Sequence, residues 1–565
     1  MKLLRRIICG PIRASIPSAI SHCTIAAIVL LCFADRAHSA TTIVTSLADG
    51  GAGSLRKLMA DASPGDSIVF GITGTITLTN GELVVTKSLI IVGPGVSALT
   101  ISGNNSMRVF NVKTNVNLTL SSLTIANGVA DKGGGVYNPD GELILHYCAL
   151  VSNSATGQAG ANYSGNPGTN GYGGAVYNSG VLNAINCSFL SNSVVGGVGA
   201  IAAMPSGPGG AGGDGNGGAI GNFGTLILTG CLLANNSATG GVGGVGGGGF
   251  YSPVSNPGGP GGAGGSGNGG VLFNNGSAFL VNNTLALNVG AGGQGGNGGS
   301  GSPPFSQGSR TGDGGNGGNG GTGYSAIYEL NGQCYLTNCT VASNQATQGP
   351  GGAGGPPGPW IYPYPPLLGQ PGANGSDGPP GSGLKITGAH FLNTLLSSNT
   401  PVNCIGTLAD EGHNLSSDAS GAFVGTGSMT NTNPRLGPLV NNGGPTFTLA
   451  LLLGSPAIDT GALPGAPTSD QRGIARPQGR GVDIGAYEFE FIIPQIMAAK
   501  LQFPSSFWLQ ASGLPNRAYT VEASTNLSLW FDVTNIITSS TGLSEFVDTN
   551  ANGTSRFYRL RTLFP

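Results

Sequence analysis

The sequence predicts an all-β protein: a right-handed parallel β-helix with Gly-rich loop inserts, followed by a small C-terminal β-sandwich. Three observations predict it. Segments of one pattern recur through the middle of the chain. Glycine supplies 105 of 565 residues and gathers between those segments. The last stretch alternates apolar and polar residues between Gly, Pro and Asn turns.

The recurring segments begin at Gly133, Gly173, Gly217, Gly269 and Ser325, with a weaker sixth from Gly381. The second reads GGAVYNSGVLNAINCSFLSNSVVGG. Each holds three short runs of period two, the spacing of a strand with one face buried. Three strands in about 25 residues make one coil of a solenoid. Stacked coils lie about 4.8 Å apart, so equivalent residues form ladders. One ladder is Cys148, Cys187, Cys231, Asn283, Cys339. A second is Asn153, Asn192, Asn236, Asn288, Asn344, Asn399, and a third is Asn138, Asn178, Asn222, Asn274. The asparagines are expected at corners, tolerating left-handed backbone and bonding from coil to coil; glycan contact is the alternative. The cysteines lack the close pairs of a metal site and are expected as thiols packed in the core. Cys334 and Cys404 fall outside the ladder.

Residues 1–39 read as a signal peptide. Lys2, Arg5, Arg6 and Arg13 are basic, Thr24 to Phe33 is a short apolar run, and Ala37-His38-Ser39 suits cleavage before Ala40. A retained signal anchor is the alternative. Residues 40–130 form an N-terminal cap and first coils, with Ser54 capping a short helix whose apolar face is Leu55, Leu58 and Met59. Residues 131–403 hold the coils with inserts. Residues 404–490 are terminal coils and an end cap. Residues 491–565 form the sandwich module, read as about five strands from FWLQAS to RFYRLRTL. Its Trp508, Trp530 and Tyr558 are expected in the core rather than as a sugar platform.

Glycine recurs every third residue inside the inserts, as in Gly258, Gly261, Gly264, Gly267 and in Gly314, Gly317, Gly320, Gly323. The inserts occupy 157–172, 194–216, 240–268, 290–323 and 348–383, leaving each coil at the same point and so projecting from one side. Period three is the polyproline II repeat. Two outcomes follow: a layer of such helices packed side by side, or flexible Gly-rich tethers. The Asp214 and Asp313 segments hint at calcium repeats, but two carboxylates are too few for that array.

Several motifs resemble known families. GGAV at Gly173 with FLSN at Phe189 is similar to the repeats of polymorphic outer-membrane proteins, which are β-helical surface adhesins of bacteria. TTIVTSLADGGAGSLRKLMADASPGDSIVF resembles the CSLREA-type N-terminal region of secreted β-helix proteins, without its cysteine: the chain has Gly53-Ser54-Leu55-Arg56. Residues 404 to 489, with NPRLGPLVNNGGPTFTLALLLGSPAIDTG, SDQRGIARP and VDIGAYEFE, resemble a choice-of-anchor Q region. That resemblance implies closure of a β-helix and a cell-surface destination. The segment Ser524 to Trp530 is similar to C-terminal modules of exported bacterial proteins.

Charged residues are 8% of the chain and net charge is −2, against the basic stripe nucleic acid needs. A hydrolase needs paired acids at fixed separation. The acids of the coils (Asp131, Asp140, Glu142, Asp214, Asp313, Glu329, Asp377, Asp410, Glu411) are scattered, and His146 and His390 lack an evident acid partner in sequence. Asp459, Asp470, Arg472, Arg476, Asp483 and Glu488 cluster as an ion-paired cap or, alternatively, an active site. No catalytic, metal-binding or cofactor-binding residue is therefore assigned. The expected role is a non-catalytic extracellular or surface protein, structural or adhesive, with a polysaccharide or cell-surface receptor as partner and no nucleic acid or small-molecule cofactor. A polysaccharide-active lyase or hydrolase and a glycan-binding module are the alternatives.

Overall fold

The computed structural model describes residues 40–306, 309–360, 367–490, 494–502, 506–513, 518–539, 541–549 and 556–562. The signal-peptide reading of 1–39, with Cys9, Cys23 and Cys32, lies outside the described residues.

The period-two runs are strands, and they stack in parallel. One coil runs through Val176–Asn178, Val181–Ile185, Ser188–Leu190 and Ser193–Val195, four strands where the repeat suggested three; the added one follows the buried Asn192 corner. The next coil pairs with it in register: Val176 with Ile220, Leu182 with Leu226, Phe189 with Leu233 and Val194 with Ala238. Repetition builds parallel sheets of 21, 10 and 6 strands. The largest sheet holds two stacks side by side. The chain is a parallel β-helix.

Alternation sends every second side chain inward, and Leu143, Leu182, Leu226 and Ala278 superpose in a single fully buried row. Each large apolar side chain so buried contributes roughly 1.5–3 kcal/mol. At the first coil, Ser54 caps the helix Leu55–Asp61, its side chain accepting from the Lys57 amide. Leu55 and Met59 are buried in the same core, with Leu58 packed against it. Arg56 turns outward from this helix and donates to Asp49 at 2.7 Å and to the carbonyls of Gly81 and Glu82. It thereby ties the helix to the second turn of chain.

The asparagine ladders form as expected, with one difference. Nδ2 of each residue donates to Oδ1 of the next: Asn153 to Asn192 and Asn192 to Asn236 at 3.0 Å, then on through Asn288 and Asn344 to Asn399. Asn403 extends the row, accepting from Asn399 at 3.0 Å. The left-handed residue is not the ladder asparagine but the one before it: Ser152, Ser191, Asn235, Leu287, Ser343 and Ser398 all have φ between 53° and 60°. That turn swings the following asparagine inward, where it is buried.

The cysteine ladder is built the same way. Left-handed Tyr147, Asn186, Gly230, Asn282 and Asn338 precede it. The Cys148 amide donates to Cys187 Sγ at 3.4 Å, and the Cys231 amide to Asn283 Oδ1 at 2.8 Å. Cys148, Cys187, Cys231, Cys334, Cys339 and Cys404 are all buried free thiols.

Past the last insert, Cys404–Asp410 pairs with Ser382–Leu392, and Phe423 packs on Phe391 at the end of the core. The chain then folds back along the outside of the ten-stranded sheet. Thr446 donates to the Gly230 carbonyl, Asn282 to that of Ser469, Thr284 to Gln471 at 2.6 Å, and the Ala486 amide to Thr340. Leu449 lies on Ala286 and Ala342. Residues 446–486 are thus a flap over successive coils as well as a terminus.

The C-terminal module is two antiparallel three-stranded sheets around Leu509, Ala511, Tyr519, Val521 and Ile536. Among the described residues it has six strands where the sequence suggested about five; the added one is Gln495–Gln502. Tyr558 packs on this core, stacked on Phe507 at 4.6 Å. Trp508 and Trp530 do not join it. Leu509 and Ala511 take the inward positions of their strand, so Trp508 faces out under Lys500 at 5.1 Å, and Trp530 lies under Arg559 at 4.2 Å.

Candidate functional surface

Each insert leaves the coil after a strand of the six-stranded sheet, for example Ser237–Thr239, and returns at Gly267–Asn268. Between those points it is a hairpin of two glycine runs, one outgoing and one returning. The runs are hydrogen-bonded to one another along their length. The amides of Gly213, Gly241, Gly265, Gly293, Gly321 and Gly349 donate in turn to the carbonyls of Gly197, Gly213, Gly241, Gly265, Gly293 and Gly321, each at 2.8 Å. A parallel series links Gly210, Gly244, Gly262, Gly296, Gly318, Gly352 and Gly375. These bonds join outgoing to returning runs. Others hold neighbours within one layer: Gly243 to Gln294 and Gly246 to Asn297 among outgoing runs, Gly261 to Asn316 and Gly264 to Asn319 among returning ones. The result is a double layer of polyglycine-II-type helices.

The period of three follows from this packing. Two residues of each triplet face neighbouring runs and the third faces water. A Cβ on Gly240 would sit 1.9 Å from the Gly265 carbonyl oxygen, and one on Gly264 2.0 Å from that of Gly293. The spacing admits no side chain there. The last returning run needs only one glycine per triplet because one of its sides is an edge. There Asn374 and Asp377 accept from the amides of Gly354 and Gly351 at 2.9 and 3.0 Å. At the opposite edge Thr169 Oγ1 accepts from the Gln158 amide at 2.7 Å. Both edges are closed by side chains, as exposed sheet edges commonly are.

Outward positions of the outgoing runs are uncharged: Val198, Ile201, Val242 and Val245, then Gln294 and Asn297, then Pro350 and Ala353. On the returning runs, Asp214 accepts from the Ser266 amide at 2.7 Å, with burial raising its carboxyl above the ordinary range. Asp313 pairs with Arg310 at 2.8 Å and accepts from the Gln370 amide. These carboxylates cap backbone.

The other acids serve similarly. Asp131 pairs with Arg108, and Asp410 accepts from Asn414, Ser428 and the amides of Gly412 and Gly425. Glu329 takes the place after Asn274 in the third asparagine ladder. It is buried and accepts from the Thr387 amide through Oε2, and burial raises its carboxyl. His390 does have an acid partner: Nδ1 lies 2.8 Å from Glu411 Oε1, one coil away, and its ring stacks on Tyr335 at 4.6 Å. The sequence reading missed that pair because the coil brings residues 21 apart together.

The cluster in 459–488 is buried apart from the half-buried Asp459 and is paired within itself, except that the buried Arg476 Nε finds no partner among the described residues. Arg476 pairs with Glu488 at 2.6 Å and donates to the carbonyls of Asp483 and Gly485. Arg472 pairs with Asp470 at 2.8 Å and lies 3.7 Å from the Tyr487 ring centre. Asp483 accepts from the amides of Asp459 and Phe489. Burial, with Glu488 nearby, pushes its carboxyl up to about 7.

A row of aromatic rings was not foreseen. Tyr137, Tyr177, Phe273 and Tyr328 occupy one outward register position, and Phe223 and Tyr172 fill the gap left by Gly221. Tyr137 stacks on Tyr177 at 5.2 Å and Phe273 on Tyr328 at 5.7 Å, near-parallel in both cases. Ring faces thus meet one another along the coil axis. The repeated VYN at Val136 and Val176 was the available signal. No family model matches this chain, and no curated protein matches it.

Proposed function

We propose that this is a non-catalytic exported protein of the cell surface or extracellular space, structural or adhesive, with the glycine double layer as its contact face. The observation that carries the reading is that layer. A backbone lattice projecting from one side of a solenoid holds a broad face in place, and the outward residues of its outgoing runs are uncharged. The acids on the coils are largely spent on capping amides and pairing with arginine. The resemblances to surface adhesins and to choice-of-anchor regions point the same way, and the basic and apolar residues before Ala40 suit export.

A polysaccharide-active enzyme is the second reading, favoured by the hydrogen-bonded His390 and Glu411 beside Tyr335. One experiment separates the two. The purified protein is incubated with a broad polysaccharide panel, and both new chain ends and polymer capture are measured. Capture without new ends, unchanged in His390→Ala, is the expected result. New reducing or unsaturated ends that vanish in His390→Ala overturn the non-catalytic reading.

A further inference from the structure

The outgoing runs hold their side chains on a grid. The Gly199 amide donates to the Val242 carbonyl at 2.8 Å, and Gly243 to Gln294 and Gly295 to Pro350 at 2.9 Å. Val198, Val242, Gln294 and Pro350 are therefore level on four neighbouring runs. One triplet further out, the amides of Ala202, Gly246 and Gly298 donate to the carbonyls of Val245, Asn297 and Ala353. That second row starts at Ile201. The glycines between these positions carry nothing that could protrude, so the face is flat.

Four adjoining points of the grid are aliphatic and face water. Val198 and Ile201 are 50% and 47% exposed, and Val242 and Val245 are 42% and 40% exposed. A rigid, contiguous apolar patch marks an interaction site. The face around it carries no charge. Residues 154–162, 193–202, 237–249, 289–302 and 345–358, which supply the outgoing runs, contain no Asp, Glu, Lys, Arg or His. The charged residues of the inserts, Asp214, Arg310, Asp313 and Asp377, all lie on the returning side. The aliphatic patch offers a glycan no donors or acceptors, and Asn297 beside it spends Oδ1 on the Ala353 amide at 3.0 Å.

We infer that the outgoing face pairs with the same face of a second copy of this chain, about a twofold axis. This rests on the reading of the layer as a contact face and names its partner. A flat grid is matched by another flat grid of equal pitch, and the chain itself supplies one. A twofold sets one patch against its own copy, so any charge on it would meet a like charge. The outgoing face meets that condition and the returning face does not. The area also suffices. Runs rise from coils about 4.8 Å apart and advance about 3.1 Å per residue. Five runs of roughly nine residues give a face of roughly 28 Å by 24 Å, on the order of 600 Å². Two such faces bury about 1,200 Å², where stable specific interfaces begin.

The test is light scattering and sedimentation velocity of the purified full chain over a concentration series. Particles of twice the chain mass are expected. Val242→Asp and Val242→Lys should each weaken association at least tenfold, because like charges then meet across the interface. An equimolar mixture of the two should regain dimers. Ala263→Lys, on the returning face, should associate as the parent does. Slow amide exchange through 240–323 shows that a variant keeps the layer; where it is lost, Val242→Ser carries the comparison. A monomer at every concentration overturns the inference, and so do dimers that persist in Val242→Asp. Polymer capture by the same samples separates this from the contact-face reading. A monomer whose capture is lost in Val242→Asp overturns self-pairing alone. Dimers that persist in Val242→Asp, with capture unchanged, overturn both.

Discussion

The amide of Gly265 donates to the carbonyl of Gly241 at 2.8 Å, although the two residues lie on opposite arms of one hairpin. The carbonyl of Gly265 accepts in turn from Gly293, in the next insert. Each arm is therefore stabilised by others on both sides. Opening one hairpin exposes the amides of its neighbours.

Gly264→Ala should disrupt this lattice. Its Cβ would fall 2.0 Å from the Gly293 carbonyl oxygen, and overpacking of this kind costs about 1–3 kcal/mol or more. Ala263→Ser, one residue earlier and facing water, should change stability by less than about 0.5 kcal/mol. Amide hydrogen exchange checks both. Slow exchange through 240–323 is expected in the parent and in Ala263→Ser, with loss around 261–267 and in both adjoining inserts for Gly264→Ala. Fast exchange in the parent would show that the arms are tethers after all.

The left-handed corner and the buried ladder residue should respond to opposite substitutions. Asn236→Ala removes bonds to Asn288 and to the Phe189 carbonyl and leaves buried partners unpaired, at about 1–3 kcal/mol for each group. Asn235, at φ 56°, should accept glycine with little effect, whereas Asn235→Val should cost roughly 1–2 kcal/mol. Thermal unfolding midpoints of the three variants decide. Equal effects of Gly and Val at 235 would remove the conformational argument.

The six buried thiols should be inert in the native protein. Burial pushes those of Cys339 and Cys404 up to about 12 and raises those of Cys187 and Cys334 well above the ordinary range; the hydrogen bond with Cys187 lowers that of Cys148, whose protection rests on its burial. Thiolate is the reactive form. A maleimide at pH 8 should leave all six unlabelled until denaturant is added, as read by intact mass.

Asp483 should make part of the stability fall as pH rises. Its carboxyl is raised from 3.8 to about 7 in the folded protein. Between those values the folded state holds a proton that the unfolded chain releases, so its contribution is present below about 4 and lost by about 7. Asp49, Asp410 and Asp418 are lowered, so theirs runs the other way and is lost in acid. Asp483→Asn should remove the falling component between pH 4 and 7 in midpoints measured against the parent. Parallel profiles would refute it.

The coil was legible because stacking forces equivalent residues into register: Asn192 cannot bond Asn236 unless the repeats align. The glycine period was legible too, but not its outcome, since every run finds its partners on other inserts. The flap over the ten-stranded sheet left only a faint trace, the small Ala234, Ala286 and Ala342 at one outward position. Gln495–Gln502 was missed because its core, MAAKLQ, lacks β-branched residues. Trp508 was misplaced because its size suggested the interior, while the alternation with Leu509 and Ala511 put it outside.

The double layer is held by main-chain atoms, and its close contacts need only the absence of side chains at two positions in three. The remaining position, as at Val242, Gln294 or Pro350, carries no such demand. The outward face and the architecture are therefore written in different residues. A lineage can rewrite every third letter of the inserts, or lengthen a tip, and present a new face to its surroundings while the scaffold underneath stays as it was.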